Sequence, residues 1–146
     1  MGFLNGIDIC ASGLTAQRLR MDVISNNLSN ATTTRTEKGG PYRRQTVVFE
    51  ARADKSGEFG SILQNEINKY GGGVRVTAVR EDTAPFRRVY EPSNPDADQE
   101  GYVSYPNVNV VAEMVDMISA TRSYEANVTA MNSIKAMALK AIDIGR

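Results

Sequence analysis

Histidine and tryptophan are absent from the 146 residues, and cysteine occurs once, as Cys10. Without imidazole the chain has no side chain that titrates unaided near neutrality and no nitrogen ligand of the usual kind for zinc. One thiol closes no internal disulfide and builds no cysteine-rich metal site. Lack of indole weakens any proposal of sugar stacking. Charge of one sign is missing too, because 17 Lys plus Arg balance 17 Asp plus Glu. Binding to phosphate backbones needs a basic surplus, so nucleic acid is not an expected partner. No run approaches the roughly 20 apolar residues of a membrane helix, so no direct membrane insertion is expected. Residues 1–17 carry no Lys or Arg, and Asn5 and Asp8 interrupt their apolar residues, so a cleaved secretory leader is not expected. This inventory predicts no enzyme, no catalytic residues, no cofactor and no metal.

Hydrophobic residues at 41% and charged residues at 23% suit one folded domain. Near the start, Phe3, Ile7, Cys10, Leu14, Gln17, Met21, Ile24 and Leu28 alternate steps of four and three, with Gln17 the polar exception. That is the a/d seam of a coiled-coil helix. Ser29 to Thr34 are short polar or β-branched residues that disfavour helix, so the helix should stop near Asn30. Near the end, Val110, Met114, Met117, Thr121, Tyr124, Val128, Met131, Lys135, Ala138 and Ile142 repeat the rhythm, with Thr121 and Lys135 as exceptions. Val111, Val115 and Ile118, then Ile134, Met137, Ala141 and Ile144, form a second row beside it. Pro106 bars helix before it, Asn107 or Asn109 can cap the start, and Gly145 lies near the end.

The stretch between is expected to be extended or β-rich. Gly39-Gly40-Pro41 signals a turn, Tyr42–Glu50 a strand, and Val74–Val79 an alternating strand after three glycines. Arg87–Tyr90 is expected to pair with Val74–Val79, and Glu91 onward, broken by prolines, to be loop. Ser61–Tyr70 fits helix or loop. The fold expected is mainly α with a small β-rich insert, an elongated subunit of three parts. Residues 1–30 are an N-terminal axial helix, 31–106 the insert and 107–146 a C-terminal axial helix, the two helices pairing as a coiled coil. At 1.5 Å per residue the helices are about 40 and 55 Å long, longer than a globule of this size would enclose. Such helices carry more apolar surface than one copy covers, so neighbouring subunits are expected to complete the burial.

Several patterns carry little chemistry. Asp96-Ala97-Asp98-Gln99-Glu100-Gly101 resembles half a calcium loop, but Asn107 stands where a bidentate Glu belongs. Arg43-Arg44 and Arg87-Arg88, near Tyr42, Phe86 and Tyr90, read as solvated or ion-paired strand faces. The three glycines at 71–73 lack phosphate-loop spacing. Asn26, Asn27 and Asn30 are more informative, since amides at a helix end cost propensity. They are expected to bind the backbone of a neighbouring chain, with Asn127 doing the same from the C-terminal helix. The expected assembly interface is Ile7, Leu14, Met21, Ile24, Asn26, Asn27, Leu28 and Asn30, with Val110, Met114, Met117, Ile118, Tyr124, Asn127, Val128 and Met131.

Ala11-Ser12-Gly13-Leu14-Thr15-Ala16 and Asn26-Asn27-Leu28-Ser29-Asn30-Ala31-Thr32 resemble the N-terminal signature of bacterial flagellar rod, hook and hook-associated axial proteins. Asn107-Val108-Asn109-Val110, Glu113-Met114, Met117-Ile118, Arg122 and Tyr124-Glu125-Ala126-Asn127 are similar to their C-terminal signature. Gly39-Gly40-Pro41-Tyr42-Arg43-Arg44 and Val89-Tyr90-Glu91-Pro92-Ser93-Asn94-Pro95 resemble a proximal-rod member. The resemblance implies a structural subunit polymerised into a helical, torque-transmitting rod in the periplasm. It implies export by the flagellar type III apparatus without a cleaved signal, and termini that fold on assembly. The implied partners are copies of itself, sister rod proteins, the adaptor that joins rod to membrane ring, and the export apparatus. Another rod member, or a soluble coiled-coil adaptor or chaperone, is the alternative.

Overall fold

The structure, a computed structural model, describes residues 3–37, 39–52 and 72–145. Along these the order is α1 (Phe3–Ser29), β1 (Gln45–Ala51), β2 (Val74–Glu81), β3 (Arg87–Tyr90), β4 (Tyr102–Tyr105) and α2 (Val110–Ile144). Ser61–Tyr70, read as helix or loop, lies outside the described residues.

α1 and α2 run antiparallel along each other. A methyl group on Gly6 would lie 3.2 Å from Ile134 Cδ1, and one on Gly13 would lie 3.1 Å from Asn127 Nδ2. Further along, Thr121 Oγ1 meets Met21 Sδ at 3.6 Å, and Asn27 Nδ2 donates to Glu113 Oε2 at 3.0 Å. Contacts six to eight residues apart on both helices keep the pairing in step over four layers. On α1 the expected row holds from Ile7 to Leu28, every member of it being buried or half-buried.

On α2 the row is corrected. The side facing α1 is Glu113, Met117, Ala120, Tyr124, Asn127, Met131, Ile134 and Ala138, all buried or half-buried. Met117, Tyr124, Met131 and Ala138 were in the expected row. Val110, Met114, Thr121, Lys135 and Ile142 are exposed, and Val128 is half-buried beside the seam. Their places are taken one residue earlier, by Glu113, Ala120, Asn127 and Ile134. Each candidate row holds two polar residues, so hydropathy alone could not separate them.

α2 starts where its sequence says it should. Asn109 is the cap, its side-chain oxygen accepting from the amides of Val111 and Ala112. Asn107 has another task, accepting from the Arg44 amide and donating to Asp82 O. α2 is one unbroken helix of 35 residues, about 52 Å long. The Gly6–Ile134 and Gly13–Asn127 contacts place Phe3 level with Met137. About two turns of α2, up to Ile144, therefore extend past the first residue of α1.

The second face of α1 is covered by the β1–β2 hairpin, antiparallel with Gln45 opposite Glu81 and Ala51 opposite Val74. Val74, Val76 and Ala78 alternate inward while Arg75, Thr77 and Val79 face out, the half-buried pattern read from sequence. β3 does not join this sheet. It pairs with β4, which was expected to be loop, Val89 opposite Val103. Asp98 makes that pairing possible: its Oδ1 accepts from the amides of Glu100 and Tyr102, turning the chain back onto itself. The core is small and centred on α1, with Cys10, Ala16, Val23 and Ile24 buried, and Ala120 and Val103 completing it.

Candidate assembly surface and the polar knot beneath it

Where α1 ends, α2 begins and β1 enters, the buried groups are polar. Asn27 and Glu113 are each only 1% exposed. Asn27 Nδ2 donates to Gln45 O at 2.8 Å and to Glu113 Oε2 at 3.0 Å. Its Oδ1 accepts from the Gln45 amide at 2.9 Å and from the Tyr42 hydroxyl at 3.0 Å. The side-chain amide thus pairs with both backbone groups of Gln45, as a neighbouring strand would. Asn27, expected to bind the backbone of a neighbouring chain, binds that of its own chain instead.

Glu113 is held from the other side by Arg44, Nε to Oε1 at 2.6 Å. The same guanidinium reaches Asp82 at 3.7 Å and Asp116 at 3.6 Å, and Asp116 also pairs with Arg20 at 3.2 Å. Burying a carboxylate costs several kcal/mol unless partners replace its water, and here both oxygens are engaged. Burial of Tyr42, reinforced by the charges of Glu113 and Glu81, raises its phenol above the ordinary value of 10.0. The knot fixes the ends of three elements by direction as well as by burial. Sequence reading missed Glu113, Arg44 and Tyr42. The available signal was Glu113 at a seam position, seven residues before Ala120, where an acid needs a partner.

Other amides cap rather than bridge. Asn30 Nδ2 donates to Asn26 O, closing the last turn of α1. Asn26 has an exposed side chain. Asn127 Nδ2 donates to Ser123 O within α2 while its amide packs over Gly13. Of the expected interface, Ile24 and Asn27 are buried within the chain. Ile7, Leu14, Met21, Leu28, Asn30, Met117, Tyr124, Asn127, Val128 and Met131 are half-buried.

Val110, Met114 and Ile118 are exposed, and Val111 and Val115 lie beside them, 71% and 62% exposed. At 100° per residue Val111, Val115 and Ile118 lie on the side of α2 turned away from α1, with Met114 on its flank and Val110 between flank and seam. Five large exposed apolar side chains within nine residues of one helix exceed the scattered exposure of an ordinary surface. Met137, Leu139, Ile142 and Ile144 are likewise uncovered on the overhang. Among the described residues no helix is long and apolar enough to cross a membrane, so a bilayer-spanning role does not account for this exposure.

Residues 7–35 match the family model for flagella basal body rod protein, and residues 99–144 match that for the flagellar basal body rod FlgEFG protein C-terminal region. Flagellar basal-body rod protein FlgC of Borreliella burgdorferi is 48% identical, covering 99% of this chain and 98% of that one. FlgC of Bacillus subtilis is 46% identical over the whole of both chains, and that of Escherichia coli O6:H1 is 44% identical over the whole of both. The chain belongs to the FlgC family of flagellar basal-body rod proteins. As a FlgC-family chain it is a structural rod subunit of the flagellum, located in the basal body and serving motility. Membership implies assembly with other rod and basal-body proteins. The bare apolar face lies on the helix that the C-terminal rod model matches, and the polar knot joins the two matched regions.

Proposed function

We propose that this chain is a proximal-rod subunit whose two helices pack as a coiled coil inside a helical tube, a drive shaft carrying torque from motor to hook. The observation that carries this reading is the exposed apolar set Val110, Val111, Met114, Val115 and Ile118, left uncovered by the chain's own core on a capped helix. A face that needs cover on one side of every copy drives head-to-tail addition, which grows a helix when the rotation does not close. Neighbours are copies of itself and sister rod proteins, with the rod-to-ring adaptor at one end. Delivery is through the flagellar type III apparatus into the periplasm, without a cleaved leader. The overhang of α2 completes its folding when a neighbour covers it.

The test is the double variant Val115→Asp plus Ile118→Asp. Both side chains are already in water, so folding stability should stay within about 0.5 kcal/mol of the parent in urea titration. Rods should be absent from cells carrying only this variant, and the cells should not swim. Complete rods built from the variant would overturn the reading.

A further inference from the structure

The β1–β2 hairpin is attached to α1 by directional bonds at both of its ends. At one end the Asn27 amide pairs with the N–H and C=O of Gln45, first residue of β1. At the other, Ser12 Oγ donates to Ile9 O at 2.7 Å and accepts from the amide of Val74, first residue of β2, at 3.1 Å. The two attachments lie diagonally across the hairpin, because Gln45 pairs with Glu81 while Val74 pairs with Ala51.

Their spacing fits. Ser12 and Asn27 are separated on α1 by about 22 Å of helix rise. Gln45 to Ala51, the level of Val74, spans about 20 Å of strand. A hairpin lying along the helix can therefore close both attachments together. Close approach at the Ser12 end is built into the backbone. Gly73 has φ +86, and a methyl group there would fall within 2.3 Å of Ser12 Oγ and 3.4 Å of Ile9 Cα. Only glycine serves there, on grounds of both conformation and space.

Apolar contact is non-directional, so it sets the hairpin's register less sharply than directional bonds at its two ends do. We infer that Ser12 and Asn27 are positioning residues that clamp the hairpin at both ends, so that twist applied to the helix pair passes into the insert without slippage. The clamp itself is read from geometry, whereas its mechanical use rests on the rod function proposed above.

The test variant is Ser12→Ala, which removes one attachment, leaves no cavity and suits a helix. In the purified chain, the Val74 amide should exchange its hydrogen about tenfold faster, while the mid-hairpin amides Val47 and Val79 and the overall stability stay unchanged. In cells, swimming should be normal in dilute medium and lost progressively as viscosity raises the load. An unchanged Val74 amide overturns the clamp. So does a rise shared by all hairpin amides, which would mean unravelling. Speed lost equally at all viscosities overturns its mechanical use. Normal swimming after deletion of the whole gene would instead sink the rod function and leave the exchange result standing.

Discussion

The two helices differ in how they are covered. α1 is gripped on two sides, by α2 along one face and by the β1–β2 hairpin along another, and what meets water is polar apart from Leu4 and Leu19. α2 has a partner along one face, and beside and opposite that face Val110, Val111, Met114, Val115 and Ile118 are bare. The longer helix is therefore the worse satisfied. One helix is covered within the subunit, and the other keeps apolar surface in water.

The contrast is broken most severely by Asn27→Leu. Leucine fits the hydrophobic rhythm, yet it leaves both backbone groups of Gln45, one Glu113 oxygen and the Tyr42 hydroxyl without their partner. A loss of about 4 kcal/mol is expected in urea unfolding, because each stranded buried group costs about 1–3 kcal/mol. A change below about 1 kcal/mol would show the knot to be incidental.

A smaller effect separates two glycines on the same face of α1. Replacing an exposed helical glycine by alanine gains about 1 kcal/mol from propensity. At Gly6 the new methyl would meet the tip of Ile134, which can rotate away, so Gly6→Ala should raise the melting temperature. At Gly13 it would press on the Asn127 amide, 3.1–3.3 Å away and tied to Ser123 O, so Gly13→Ala should give no gain or a loss. Equal shifts for the two would mean that helix spacing is not set at Gly13.

The smallest effect is on alkaline stability. Tyr42 holds its proton more tightly when folded than when unfolded, so the unfolded chain loses it first as pH rises. The contribution is intact below the ordinary phenol value of 10.0 and is lost as pH climbs from there through the raised value. Tyr42→Phe should flatten that part of the stability curve in thermal melts. An identical decline in both proteins would contradict the assignment.

Legibility followed the same divide. The α1 row could be read because its apolar residues from Ile7 to Leu28 are all buried or half-buried. On α2 the true seam includes Glu113 and Asn127, whose polarity hides their burial, while exposed Val110 and Met114 imitate a seam. Apolar surface left in water looks in sequence like apolar surface turned to the core. Val74–Val79 was legible from its alternation, but the partner of Arg87–Tyr90 was not, since it depends on Asp98 folding Tyr102–Tyr105 back. Asn27 announced itself by residue type, whereas its partners, eighteen residues away at Gln45 and eighty-six away at Glu113, needed the fold.

The unequal helices also bear on fracture. Because α2 runs on for about two turns where α1 has begun, the ends of a subunit do not lie in one plane. In the rod proposed above, copies laid end to end would inherit that offset, as bricks do in staggered courses. A crack crossing such a column must cut through helices, each held by its own ladder of backbone bonds, instead of running along a flat joint.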